Sequence, residues 1–317
     1  MQIRHLSALL QFGFKLSISL SLLLSANLAQ AKNAALHQPA LTEIRIQRPP
    51  AADDVAQSYY VGLLQKALQK GARGRPVPKI VAVHIMEQGR ANRELLKGNL
   101  IDLFWVGTEL EKEQQLRPIR IPLERGLTGF RKFTIVQQRQ AEFDRLQGLM
   151  QLKRLTACQG SHWPDTDILQ AAQLPVMASP VFDNLFPQLV AGRCDYFPRG
   201  VHEGEAEIRQ RSAQLPALSR YQDIMLHYPF AVYFFTTKQH EVLAQWLEQG
   251  LETMIDDGEL LAYMQQHPFT AKVFPLSAEN ASRWIELPNP LLPADTDYQN
   301  RRYWFVPADF TQPAATP

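Results

Sequence analysis

The chain has 317 residues, 45% of them apolar and 20% charged, with a formal net charge of +2. That length suits about two domains, and the composition is ordinary for a globular protein. No long run of one charge sign occurs, which speaks against disorder and against a nucleic-acid-binding surface.

The N-terminus carries Arg4 and Lys15, then the short apolar core LSISLSLLLS (16–25), then Ala29-Gln30-Ala31. This three-part pattern predicts a secretory signal peptide over 1–31, cut after Ala31, and a periplasmic mature protein. The apolar core is about half of the ~20 residues that a spanning helix needs, and no later run is long enough, so the mature chain is expected to have no membrane anchor. Cleavage removes two basic and no acidic residues, leaving 33 − 2 = 31 Lys+Arg against 31 Asp+Glu. Bulk charge then offers no drive toward a polyanion or a membrane.

Residues 32–42 read as a loose start. IRIQRP (44–49) alternates like a strand, and Asp53 and Asp54 precede a helix over 55–71 that stops at Gly71. A strand over 77–85, a helix ending at Gly98 and the strand IDLFWVG (101–107) follow. The last is apolar on both faces, as a buried strand covered by helices would be. Strands are predicted over 130–137 and 152–158, with a helix starting near Asp165. PVMASP (175–180), the helix 181–192 and RCDYFP (193–198) come next. HYPFAVYFFTTK (227–238) reads as one strand. Two amphipathic helices fill 240–267 and break at Asp256-Asp257-Gly258. The tail from 275 is rich in Pro, Asn and Asp, but Trp284, Tyr303, Trp304 and Phe305 predict that it packs on the body. Strand–helix alternation of this kind specifies an α/β fold with mostly parallel strands, here in two units.

Phosphate-loop, dinucleotide, zinc-protease, nucleophile-elbow and calcium-loop patterns are all missing. His84, His162, His202 and His227 have no ligand spacing, so neither a metal nor a cofactor is expected. Cys158 and Cys194 are the only cysteines. Export permits a disulfide between them, and two buried thiols are an equally open reading.

Four segments carry a resemblance: GRANRELLKGNLIDLFWVGTELEKEQQL (89–116), IPLERGLTGFRKFTIV (121–136), LKRLTACQGSHWPDTDIL (152–169) and FDNLFPQLVAGRCDYFPRG (182–200). Together they resemble the periplasmic solute-binding proteins of the polar amino-acid type (solute-binding family 3, the type II periplasmic-binding fold). The resemblance implies a two-lobed α/β chain, each lobe a mostly parallel sheet flanked by helices, joined by two crossover segments. Lobe 1 would hold 32–135 and 236–317, and lobe 2 would hold 136–235. A small-molecule ligand would lie between the lobes and be buried by hinge closure.

Residue by residue, the loop Gln159-Gly160-Ser161-His162 offers backbone amides to an anion, and Ser161 stands at the family's Thr/Ser position. Trp105 ends a strand, where clefts of α/β sheets open. Thr108 matches the family threonine that faces the ligand. Lys112 stands where the family has an arginine, keeping the charge but losing the planar fork; Arg125 or Arg131 would substitute. Gly200 replaces a common acidic residue, leaving Glu203 as the nearest acid and Arg199 beside it. Arg48, Ser58 and Tyr59 lie where the family often has an aromatic wall. The expected function is capture of an amino acid or small carboxylate by a monomer, for an ABC importer or a membrane sensor. An exported cyclohexadienyl-type dehydratase, with His162, His202 or Glu203 as general acid, is one alternative. A protein-interaction module with a vestigial cleft is another.

Overall fold

The computed structural model describes residues 41–49, 51, 54–277 and 283–310; the leader and its cleavage point lie outside them. In chain order the elements are β1 (Glu43–Arg48), α1 (Val55–Gly71), β2 (Lys79–Ile85), α2 (Gln88–Lys97), β3 (Leu103–Gly107), α3 (Leu110–Gln115), β4 (Arg117–Ile119) and β5 (Phe130–Val136). Then come α4 (Gln140–Asp144), α5 (Leu149–Leu152), β6 (Ala157–Gly160), α6 (Pro164–Ala171), β7 (Val176–Ser179), α7 (Leu185–Val190), β8 (Phe197–Gly200) and α8 (Gly204–Arg211). The chain closes with β9 (Leu218–His227), β10 (Val232–Thr236), α9 (Glu241–Asp256), α10 (Glu259–Gln266) and β11 (Arg283–Glu286).

Two sheets result. In the first, β1 and β2 pair in parallel, the Asp102 amide donates to the Arg45 carbonyl at 2.8 Å and so ties β3 to β1, and β10 lies antiparallel between β3 and β4. In the second, β7 and β6 are parallel, the Cys158 amide donates to the Tyr196 carbonyl at 2.8 Å to join β6 to the start of β8, and β5 lies antiparallel to β8 and β9. β11 adds parallel to β9 at the edge. Each layer holds one strand that lies antiparallel to both of its neighbours. Those strands, β5 and β10, are the first that each lobe receives after the chain crosses.

α1 begins where the Asp54 carboxylate accepts the Gln57 amide at 2.8 Å, a side-chain cap on an orphan helix donor. It buries Leu63, Leu64, Ala67 and Leu68 against α9, which buries Leu247 and Leu251. Each fully buried leucine contributes about 2 kcal/mol. The helices approach so closely at Gly250 that a Cβ there would stand 1.9 Å from the Ala67 carbonyl oxygen. The core of lobe 1 joins Ala91 and Leu95 of α2 to Phe104, Val106, Tyr233 and Phe235 of the sheet. That of lobe 2 joins Cys158 and Phe197 to Leu185, Phe186 and Leu189 of α7. Cys158 and Cys194 form a disulfide in that second core.

Three expectations about elements change. Residues 152–156 are not strand: the Leu152 amide closes a helical turn on Gly148 and Lys153 closes one on Leu149, so pairing begins only at Ala157. The apolar run 227–238 is two strands in two different sheets, broken at Pro229, which has no amide to donate. The tail does more than pack: β11 extends the lobe 2 sheet while Trp304 enters the lobe 1 core, so the last segment of the chain spans both lobes.

Candidate functional site

β3 ends in the middle of the lobe 1 sheet, pointing its C-terminal edge at the gap between lobes. Trp105 stacks on Tyr60 of α1, with ring centroids 5.2 Å apart and planes at 22°. Gly107 is required where it stands, because a Cβ would lie 2.2 Å from the Phe230 ring on the return segment. Across the gap, β6 ends at Gly160, and Pro164 opens α6 at its first turn, where a missing amide costs nothing. A cavity of about 200 Å³ lies between them. Its lobe 1 wall includes Gln47, Tyr60, Trp105 and Gly107, its lobe 2 wall Trp163, Asp165, Arg199 and Glu203, and Phe230 closes its back. At its edge the side-chain amide of Gln88 donates to the His162 carbonyl at 3.1 Å, and the His162 ring lies over Gly89.

Charge in and beneath the cavity is internally paired. Arg131, 1% exposed, reaches Asp165 at 2.5 Å and Glu203 at 3.7 Å. Asp165 also accepts the Tyr228 hydroxyl. Arg199 reaches Glu207 at 2.6 Å and Glu203 at 3.0 Å, and its guanidinium lies 4.9 Å from the Trp163 ring centroid. Burial works to raise the Glu203 carboxyl, but Arg199 and Arg131 outweigh it and hold it down at about 2. Its Oε2 accepts the Gly200 amide at 2.7 Å, so this carboxylate folds back over the glycine. Two arginines thus meet three carboxylates, of which Asp165 and Glu203 line the cavity and Glu207 lies outside it. Behind Tyr60, the fully buried Glu124 accepts the Tyr60 hydroxyl and, at 3.1 Å, that of Thr128. Burial pushes the Glu124 carboxyl up to about 8.

Of the residues singled out from sequence, Trp105, Arg199 and Glu203 line the cavity, and Arg131 sits beneath it. Tyr59 does not line it. Its ring packs against Tyr263, His267 and Phe269 in lobe 1 and its hydroxyl donates to the Leu123 carbonyl; Tyr60 takes the wall position instead. Thr108 is buried, with its amide on the Ala231 carbonyl at 2.9 Å and its hydroxyl on Glu113 at 2.5 Å. Lys112 turns inward to the Gly107 carbonyl at 2.7 Å and Glu109 at 2.8 Å, and burial lowers its pKa. Arg125 lies over Phe305 and donates to the Arg301 carbonyl, away from the cleft. The Ser161 amide is spent on the Ser179 carbonyl at 2.9 Å, and Ser161 and His162 are exposed. Gln159 is fully buried with both side-chain polar atoms unpartnered. Arg48 and Ser58 are exposed. The sequence reading missed Tyr60, Asp165 and Gln47, whose Oε1 is buried without a partner. Only Asp165 left a signal, as an acidic residue in a helix's first turn after proline.

No protein-family model matches the sequence, and no curated protein matches it. Solved structures do share the fold. An ancestral arginine-binding protein bound to arginine is 16% identical, with a TM-score of 0.50, over 66% of this chain and 87% of that one. A periplasmic His/Glu/Gln/Arg/opine family-binding protein from Silicibacter pomeroyi, in complex with lysine, is 10% identical at a TM-score of 0.50, over 66% and 85%. The chain has the two-lobed α/β fold of these binding proteins.

Proposed function

We propose that the chain binds a small polar solute, an amino acid or a small carboxylate, between its two lobes. The loaded protein then serves an ABC-type importer or reports the solute to a membrane receptor, as an exported periplasmic monomer. The observation that carries this reading is the cavity of about 200 Å³ walled by both lobes and by the return segment. Its aromatic rings give contact area, while Arg199, Asp165 and Glu203 give charge of both signs, which suits a zwitterion. The unpartnered Gln47 Oε1 is a ready acceptor for an ammonium. The volume lies below the ~300–1,000 Å³ of drug-sized sites, in keeping with a small solute. The two solved neighbours, one bound to arginine and one to lysine, lend support.

A dehydratase has less in its favour. Neither His162 nor His202 lines the cavity, and Glu203 does so as an ionised group that has no proton to give. Calorimetry of the purified protein against amino acids, small carboxylates and polyamines tests the binding reading. At least one compound is expected to bind tighter than about 1 mM, equivalent to about −4 kcal/mol. Trp105→Ala should weaken it by about tenfold. A panel in which nothing passes that threshold ends the proposal.

A further inference from the structure

A second cavity, of about 160 Å³, opens between lobe 2 and the segment that follows α10, and shares no lining residue with the cavity described above. Lys132 of β5, His202 after β8, Arg209 of α8, Arg220 of β9 and Lys272 after α10 line it, with Glu205 as its one carboxylate. The antiparallel β5–β9 pair, whose register breaks between Arg131 and Phe133, brings Lys132 and Arg220 to the same wall.

Their surroundings differ from those of the charges at the interlobe cavity. There every arginine has a carboxylate. Here Lys132, 3% exposed, donates only to the Gln222 carbonyl, and Arg220 gives Nη2 to the Val201 carbonyl at 2.6 Å. Neither makes an ion pair among the described residues. The Arg220 Nε is buried without a partner, and so are both ring nitrogens of His202. Arg209 and Lys272 at the rim share Glu205, the latter at 3.5 Å. Four cations thus line the cavity with one lining carboxylate, and Asp223, outside the lining, acts on Lys132. Glu207, which acts on Arg220 from farther off, is committed to Arg199.

Buried cations with no carboxylate in contact are costly, and a buried donor with no acceptor adds to the cost. Burial first, and then the neighbouring Arg220 charge, bring the Lys132 ammonium down to about 7 against the opposing pull of Asp223; burial also lowers Arg220 in spite of Glu205 and Glu207. An oxyanion has the complementary property: several acceptor lone pairs and negative charge in a compact volume.

We propose that this cavity is a binding site for a small oxyanion, such as inorganic phosphate, sulfate or a compact carboxylate, held by Lys132, Arg220 and His202. The anion accepts from the Lys132 ammonium, the Arg220 Nε–H and one His202 ring N–H. All three ligands come from lobe 2, while Lys272 at the rim comes from the segment after α10 and feels the anion's charge.

Thermal melts and calorimetry of the purified protein, titrated with inorganic phosphate, sulfate or acetate against chloride at matched ionic strength, test the site. A saturable rise in melting temperature is expected, with a dissociation constant below about 10 mM for at least one of these ions. The order among phosphate, sulfate and acetate then tells a tetrahedral from a planar preference. Lys132→Met and Arg220→Gln should each weaken that binding by about tenfold, while Trp105→Ala leaves it unchanged. Lys132→Met removes an uncompensated cation and should fold at least as well as the parent. No saturable response beyond chloride, or equal responses in the parent and both variants, overturns the site. That result leaves the interlobe proposal standing, since the latter is read by Trp105→Ala and organic solutes.

Discussion

Glu124 offers the sharpest test of how the cleft is built. It lies in the turn that leads from β4 toward β5, fully buried, accepting the hydroxyls of Tyr60 and Thr128. Burial raises its carboxyl from 4.5 to about 8, with Glu203 adding in the same direction and the two hydroxyls and Arg131 opposing. The sign of the consequence follows from proton linkage. A folded-state pKa above the unfolded one means that the native state binds the proton more tightly. The contribution of this group to stability is whole below about 4.5 and is lost as pH rises through about 8. Each pH unit inside that window costs about 1.4 kcal/mol, so the loss between pH 5 and 8 is on the order of 3–4 kcal/mol.

Glu124→Gln isolates the effect. The amide keeps an oxygen to accept from Tyr60 and can meet the Thr128 hydroxyl oxygen through its N–H, but it does not ionise. Urea unfolding of both proteins at several pH values gives the difference in stability, from which titrations common to both cancel. The variant should gain on the parent steadily as pH rises, by about 3 kcal/mol between pH 5 and 8. A difference that stays flat within about 0.5 kcal/mol would refute the reasoning, because Glu124 would then titrate near its ordinary value.

Three further outcomes are expected. Replacing Cys158 and Cys194 by serine opens a crosslink across 36 residues and should cost about 4 kcal/mol in denaturant unfolding; equal midpoints before and after reduction of the parent would contradict this. Arg131→Met takes from buried Asp165 the guanidinium in contact with it and leaves the Tyr228 hydroxyl and the more distant Arg199 and Lys112 charges, at a cost of about 3–5 kcal/mol, whereas Arg131→Met combined with Asp165→Leu should regain most of it in a double-mutant cycle; strict additivity would count against the pair. Trp304→Ala empties a place in the lobe 1 core and should lower stability by about 3–5 kcal/mol, and a loss under about 1 kcal/mol would mean the tail is only loosely applied.

What the sequence made legible was what local pattern controls. β3 is apolar on both faces because helices cover it, and α1 ends at Gly71 as read. The alternation of strands and helices through 107 follows the written order. Trp105, Arg199 and Glu203 line the cavity because strand ends and the turns after them carry clefts in α/β sheets. Tyr59 and Tyr60 mark where that reasoning stops. Adjacent helical residues differ by about 100° in direction, so which tyrosine meets the cleft depends on the rotation of α1. That rotation is set by Tyr263, His267 and Phe269, some 200 positions later in the chain, which take Tyr59 into the lobe core.

The charges obey the same logic. Lys112 carries no mark that its ammonium will turn back to Gly107 and Glu109, and Asp165 reads only as a helix-start acid. Their roles are fixed by what desolvation permits: once the lobes bury Arg131 and Arg199, a carboxylate must meet each, and Asp165, Glu203 and Glu207 are those within reach. A solute entering the interlobe cavity therefore meets charges that already have partners. Its affinity depends on how much of that pairing it can replace, not on finding a bare arginine. For an α-carboxylate this means competing with Asp165 and Glu203 for guanidinium. An ammonium meets the Asp165 and Glu203 carboxylates that line the cavity. Under the proposed function this favours ligands with an added positive charge, and Glu203→Gln, which removes one of the two carboxylates, should narrow that preference in a competition between lysine and an uncharged amino acid of similar length. An unchanged ratio would place Glu203 outside the ligand's reach.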